Sequence, residues 1–88
     1  MKLKYTFEAV DMGDEIICVP VGEGAAEVQG VLKLNREGRE ILDLLKEETT
    51  EEAIVSVLAA KYENDRAILA DYVRDVLDRL HDAGLLAD

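Results

Sequence analysis

The spacing of apolar residues changes once along the chain, near Leu34. Before this point β-branched and aromatic residues cluster between glycine-bearing turns, which is typical of short strands. Pro20 either ends a strand or marks a sheet edge, and Val28, Leu32 and Leu34 fall on one face of the last strand. The pattern predicts a meander with strands over residues 5–10, 16–19 and 27–34 and turns at residues 12–14 and 22–24.

After Leu34 the apolar residues recur with the 3.6-residue period of helices. Asn35 is a good N-cap for the first helix, Thr49 and Thr50 fit equally well as the cap of the second, and Gly84 is placed to end the third. The predicted helices cover residues 36–47, 50–62 and 66–83. The expected core positions are Gly38, Ile41, Leu44 and Leu45, then Ala53, Ile54, Val57, Leu58 and Tyr62, then Leu69, Val73, Val76 and Leu80.

Three strands followed by three helices define an α+β fold of the winged helix-turn-helix kind. The chain has 88 residues, which leaves room for one domain over residues 1–88. Its 20 acidic and 10 basic side chains give a net charge of −10, and four successive segments of the chain are each net negative. Because phosphate backbones are bound by Lys and Arg, we expect no nucleic-acid partner.

The apolar runs are too short for a membrane span. The longest, residues 53–60, is far below the ~20 residues that a bilayer requires, and no signal-type apolar stretch follows the basic start of the chain. We therefore expect no membrane partner and a cytoplasmic protein.

Few residues here are suited to catalysis. Cys18 lies among strand residues, Ser56 lies inside the second helix, and His81 lies at the end of the third, where its cationic form suits the last carbonyls. No second His stands at helical spacing from His81, and the carboxylates are spread as on a solvated face. We predict a protein that is not an enzyme and has no metal and no cofactor.

Two features favour binding. An outer third strand leaves backbone N–H and C=O groups available to an extended peptide. The third helix also carries more apolar residues than one core stripe requires, because Ile68 and Tyr72 fall on a flank beside Arg79. This flank either lines a groove or completes the packing against the sheet.

Four motifs of the chain are informative in combination. They are Leu-Asn before the first helix, Thr50 with Glu51 and Glu52, the Val-x-x-Val-Leu-x-x-Leu pattern of residues 73–80, and Gly-Leu-Leu at residues 84–86. Together they resemble the PqqD family, named for pyrroloquinoline quinone biosynthesis. The resemblance covers about residues 16–86, and its specificity lies in the combination rather than in any single piece. In one departure, Tyr72 holds the place where the family usually has Asp, and Asp71 precedes it.

The resemblance implies a recognition element for ribosomally made, post-translationally modified peptides. Such a domain performs no chemistry; it holds the leader segment of a precursor peptide for a maturase, often a radical S-adenosylmethionine enzyme. The leader adds as a strand to the third strand and rests against the third helix, with Lys33 and Arg79 available to leader carboxylates. Transferred to this chain, the peptide-binding residues are Val28, Gly30, Val31, Leu32, Lys33, Ile68, Tyr72, Val76 and Arg79.

Two other functions fit a fold of this kind. A winged-helix DNA-binding protein should carry Lys and Arg at the start of the third helix and in a wing, whereas here residues 66–71 hold one Arg and one Asp and the turn at residues 22–24 is acidic. A structural module would instead pair its exposed strand with a second copy. We expect a monomer or a weak homodimer.

Overall fold

The computed structural model describes residues 1–28 and 30–87. A three-stranded antiparallel sheet is followed by three helices, and a two-stranded sheet joins the two ends of the chain. This confirms the predicted α+β class. The strands are β1 (Lys2–Leu3), β2 (Thr6–Asp11), β3 (Ile16–Val21), β4 (Leu32–Leu34) and β5 (Leu86–Ala87), and the helices are α1 (Arg36–Leu44), α2 (Glu51–Lys61) and α3 (Arg66–Asp82).

The pairing of β1 with β5 was not foreseen. Lys2 lies opposite Ala87 and Leu3 lies opposite Leu86 in this antiparallel pair. The Leu3 N–H donates to the Leu45 carbonyl at 2.9 Å, and the Lys4 N–H donates to the Leu85 carbonyl at 2.8 Å. Two-residue strands carry no periodic signal, so the sequence pattern does not predict them.

The predicted third strand is too long at its start. Residues Ala25–Glu27 form a single 3-10 turn, Gly30 has a φ of +82°, and strand geometry begins only at Leu32. The left-handed conformation at Gly30 bends the chain out of the extended path. Val28, Gly30 and Val31 therefore precede β4 instead of belonging to it, and Gln29 of the predicted strand lies outside the described residues.

Pro20 explains part of this shortening. β3 continues through Pro20 to Val21, so the prediction that the second strand stops at residue 19 is wrong. Pro20 lies opposite Phe7, whereas the pairing of β3 with β4 reaches only as far as Cys18 opposite Leu32. Because Pro has no N–H, it cannot extend that pairing beyond Cys18. At Pro20, therefore, β3 is paired with β2 but no longer with β4.

Side-chain caps define where the helices begin. Asn35 Oδ1 accepts the Gly38 N–H at 2.9 Å, and Thr50 Oγ1 accepts the Ala53 N–H at 3.1 Å. Thr50 is therefore the cap of α2, which resolves the choice between Thr49 and Thr50. The first helix ends at Leu44 instead of residue 47, because the chain turns there and the Leu45 carbonyl accepts the Leu3 N–H.

The core lies between the sheet and the three helices. All four expected core residues of α3 are buried, and Leu77 joins them. In α2 the expectation is wrong at two positions, because Ala53 and Val57 are exposed and Val55 is buried beside Ile54 and Leu58. In α1, Leu42 is buried and Leu44 is only partly so.

The burial of Val55 in place of Val57 can be tested directly. Val55 is 5% exposed and Val57 is 37% exposed, so the same substitution probes two environments. We expect Val55→Ala to lower the free energy of unfolding by about 2 kcal/mol, and Val57→Ala to lower it by less than about 0.5 kcal/mol. Urea denaturation followed by circular dichroism measures both, and a larger loss for Val57→Ala would contradict this packing.

Candidate functional site: a cleft between β4 and α3

β4 and α3 lie antiparallel, and we call the surface between them the cleft, from Val31 and Gly84 at one end to Asn35 and Tyr72 at the other. Asn35, directly after β4, is hydrogen-bonded to Tyr72 in the first half of α3. Val31, directly before β4, lines the same concavity as Ala83 and Gly84, which follow α3. The two ends of β4 therefore meet opposite ends of the helix.

The backbone of Lys33 faces away from the sheet. The Met12 N–H donates to the Glu15 carbonyl at 2.9 Å, so these two residues, at the turn between β2 and β3, form a hydrogen-bonded pair. Because hydrogen-bonded and non-hydrogen-bonded pairs alternate in antiparallel sheets, Ile17 bonds to Val10 in β2. Ile17 then offers no backbone groups to Lys33, the residue opposite it in β4.

The same alternation directs the backbone N–H and C=O groups of Leu32 and Leu34 toward β3, where these residues pair with Cys18 and Ile16. In the sheet that the structure describes, β4 has β3 as its only neighbour. The N–H and C=O of Lys33 consequently point to an open strand edge.

Two concavities stand at the ends of the cleft. The one at the start of β4, which we call the Leu32 concavity, has a volume of about 330 Å³. The one at the end of β4, the Tyr72 concavity, has a volume of about 230 Å³. The former is lined by Tyr5, Phe7, Glu27, Val28, Gly30, Val31, Leu32, Ala83, Gly84 and Leu85, and the latter by Asn35, Glu37, Asn64, Ile68, Leu69 and Tyr72.

Each concavity has an exposed apolar side chain at its wall. Val31 is 49% exposed in the Leu32 concavity, and Ile68 is 61% exposed in the Tyr72 concavity. An apolar side chain that is exposed at a concave surface is available to pack against a bound molecule. The two therefore offer apolar contacts at both ends of one cleft.

The structure separates the seven uncharged residues of the predicted site into three groups. Val28, Gly30, Val31 and Leu32 line the Leu32 concavity, whereas Ile68 and Tyr72 line the Tyr72 concavity. Val76 is 3% exposed and belongs to the core, so its side chain offers almost no surface to a peptide.

The two predicted cations differ from each other. Arg79 is largely exposed on α3 and forms an ion pair with Asp75 at 3.5 Å. Lys33 is exposed, but strand alternation sends its side chain to the face opposite that of Leu32 and Leu34, which pack against the core. The structure does not bring the two charges together, and Lys33 contributes to the cleft through its backbone.

Asn35 joins α1 to α3 and was foreseen only as a helix cap. Its Oδ1 atom accepts both the Gly38 N–H and the Tyr72 hydroxyl. A Cβ on Gly38 would lie 3.1 Å from the Tyr72 hydroxyl oxygen and from Leu34, so the absence of a side chain there lets Tyr72 approach. This clamp fixes the wall of the Tyr72 concavity. The contact of Asn35 with Gly38 can be predicted from the sequence as a helix cap, whereas its contact with Tyr72 has no local sequence signal.

The residues considered for catalysis lie apart. Cys18 is buried in β3, and burial raises the pKa of its thiol, although Arg39 opposes this and Asp43 adds to it. Ser56 accepts a hydrogen bond from Arg66 at 3.0 Å, and His81 is exposed beside Asp82. Within residues 1–28 and 30–87, no three His, Cys, Asp or Glu side chains are grouped to hold a metal ion. No helix in this part of the chain is long and apolar enough to cross a membrane.

The fold and cleft define a small α+β domain with an open strand edge beside its last helix. The family model described as coenzyme PQQ synthesis protein D (PqqD) matches residues 23–86. The chain belongs to the PqqD family.

Comparison with solved structures and curated proteins adds one match. The structure described as "TbiB1 in Complex with the TbiA(beta) Leader Peptide" is similar over 100% of both chains, with 27% sequence identity and a TM-score of 0.69. No curated protein matches this chain.

The Asn35 clamp predicts a pH-dependent effect of Tyr72→Phe. At neutral pH the loss of the hydroxyl contact should lower the free energy of unfolding by about 1 kcal/mol. Burial, chiefly, raises the pKa of Tyr72 above its ordinary value of 10.0. A raised folded-state pKa means that the stabilisation present below the unfolded pKa is lost as the pH rises through the folded pKa.

Phe does not ionise, so the stability gap between wild type and Tyr72→Phe should narrow above about pH 10. Urea denaturation of both proteins across this range measures the gap. A gap that is constant with pH would show that the hydroxyl is not held in this half-buried contact.

Proposed function

We propose that this protein is a peptide-binding adaptor that holds the leader segment of a ribosomally made precursor peptide by strand addition to β4. It presents the remainder of the precursor to a modifying enzyme. The observation that carries this proposal is the open edge at Lys33, whose N–H and C=O point away from β3. Membership of the PqqD family supports it, as does similarity to a protein solved with a leader peptide.

The size of the cleft sets the length of the bound segment. From Ile68 to the end of α3 is about 21 Å at about 1.5 Å per helical residue. An extended peptide spans this distance with about six or seven residues at roughly 3.3 Å each. A leader segment of this length reaches from one concavity to the other.

Affinity and selectivity come from different groups. The Lys33 backbone supplies hydrogen bonds that any extended peptide can make, whereas the two concavities accept apolar side chains at defined positions. Val31 and Ile68 are the exposed apolar contacts at the two ends. Arg79, in the last turn of α3, is free to exchange Asp75 for a leader carboxylate, since an exposed ion pair is worth little.

The adaptor acts without chemistry or a cofactor of its own. Holding the leader raises the local concentration of the attached core segment at the enzyme, because the second encounter becomes intramolecular. Binding leaves the buried Cys18 thiol unused, and Ser56 and His81 lie on other elements. We place the complex in the cytoplasm, with a monomeric adaptor and an enzyme of the radical S-adenosylmethionine class.

Lys33→Pro should abolish capture of the leader while the protein stays folded. The substitution removes an outward N–H at an edge position, where Pro is tolerated. We expect the affinity for a labelled leader peptide, taken from a short reading frame beside this chain's gene, to fall at least about tenfold. Fluorescence polarisation measures the affinity, and circular dichroism verifies folding.

Two control variants separate the backbone from other effects. Lys33→Gln removes the charge but keeps the N–H, and Ala9→Pro makes the same backbone change at the opposite sheet edge. Both should bind the leader with nearly wild-type affinity. Normal binding by folded Lys33→Pro would exclude strand addition to β4.

A further inference from the structure

A second groove lies between β2 and α1, at the sheet edge opposite β4. It has a volume of about 400 Å³, and residues 2–5 also line it. Phe7 and Ala9 of β2 and Leu42 of α1 form apolar parts of its wall. The groove and the Leu32 concavity share Tyr5 and Phe7 in their linings, but the strand edges beside them lie on opposite sides of β3.

This groove gathers the scarce positive charges of the chain. Lys2, Lys4, Arg39 and Lys46 line it, which is four of the 10 Lys and Arg residues, whereas Asp43 is the one lining residue among the 20 acids. Asp43 lies 4.0 Å from Arg39 and 3.4 Å from Lys46. Among the residues that the structure describes, Lys2 and Lys4 have no side-chain ion pair. A local excess of positive charge therefore persists on a chain of net charge −10.

The backbone beside the groove is also open. The alternation that bonds Val10 to Ile17 turns the N–H and C=O groups of Phe7 and Ala9 outward. In the described sheet β2 has β3 as its only neighbour, and its six residues are twice the three of β4. A strand added here would direct alternate side chains to the face of Phe7 and Ala9, beside the four cations.

We infer that this basic groove docks an extended acidic segment of the modifying enzyme, in which carboxylates alternate with apolar residues. The inference rests on the proposed function, which assigns β4 to the precursor and leaves β2 open. Since the two edges lie on opposite sides of β3, both segments bind at once. Charge complementarity favours an acidic segment, because carboxylates in the groove would meet Lys2 and Lys4.

A second copy of this chain is a poorer occupant. Pairing β2 with β2 of another copy would bring two positively charged grooves together, and like charges facing each other oppose association. Size-exclusion chromatography with light scattering tests this occupant. A dimer that Ala9→Pro dissociates would replace the enzyme segment with a second copy and overturn the inference.

The direct test uses two labelled synthetic peptides of about eight residues, one alternating Glu with Val and the other Lys with Val. Fluorescence anisotropy with the full chain should show binding of the Glu peptide and none of the Lys peptide. The double variant Lys4→Gln/Lys46→Gln should weaken binding about tenfold, and Ala9→Pro should abolish it. The charge-matched control Lys61→Gln/Arg66→Gln, on α2 and α3, should bind as wild type does.

Binding of the leader peptide to the same variants separates the two proposals. Leader binding that survives Ala9→Pro and Lys4→Gln/Lys46→Gln, together with lost binding of the Glu peptide, supports both. If the Glu peptide binds all variants equally, or fails to bind wild type, the docking groove is overturned and the proposed function stands. If the leader itself is lost in Ala9→Pro but kept in Lys33→Pro, the leader occupies β2, and both assignments are wrong.

Discussion

The hydrogen bond from the Met12 N–H to the Glu15 carbonyl sets the hydrogen-bonding phase of the whole sheet. It determines which residues of β3 form backbone hydrogen bonds with β2 and which form them with β4, because hydrogen-bonded and non-hydrogen-bonded pairs alternate. Pro20 agrees with this phase, since its pair with Phe7 falls at a position that needs no N–H. Both open edges follow from this alternation. The backbone N–H and C=O of Lys33 point outward from β4, and those of Phe7 and Ala9 point outward from β2.

The helices convert these edges into grooves. α3 stands beside β4 because Tyr72 is hydrogen-bonded to Asn35, at the point where β4 passes into α1. Arg39 of α1 and Lys46, two residues after α1, line the basic groove together with Lys2 of β1 and Lys4, which precedes β2. A charge pattern that is uniformly acidic along the chain is thus uneven in three dimensions. The cleft and the basic groove are consequences of one arrangement of strands and helices.

Local patterns predicted most of the elements. The cap at Asn35 and the core line of α3 depend on residues a few positions apart, and both are confirmed. For α2 the sequence offers Thr49 and Thr50 equally, and the structure has Thr50 as the cap. The errors arise where a distant part of the chain decides. Val57 has the helical spacing of a core residue, but the orientation of α2 against α3 buries Val55 instead.

The third strand and the cleft also show where local sequence patterns fail to predict the structure. The β-branched residues near Val28 predict extended structure, whereas the 3-10 turn and the left-handed Gly30 delay the strand to Leu32. The sequence leaves open whether Ile68 and Tyr72 line a groove or pack against the sheet, and in the structure both line the Tyr72 concavity. Val76 has the same helical phase as the core line and is buried with it. The basic groove has no sequence signal, because its cations come from separate segments.

Strand addition to β4 can be observed by hydrogen exchange at single amides, measured by NMR with and without the leader peptide. We expect the Lys33 N–H to exchange freely in the unbound protein and to become strongly protected when the leader binds, while exchange of the Phe7 and Ala9 N–H groups is unchanged. Protection of Phe7 and Ala9 with no change at Lys33 would contradict strand addition to β4.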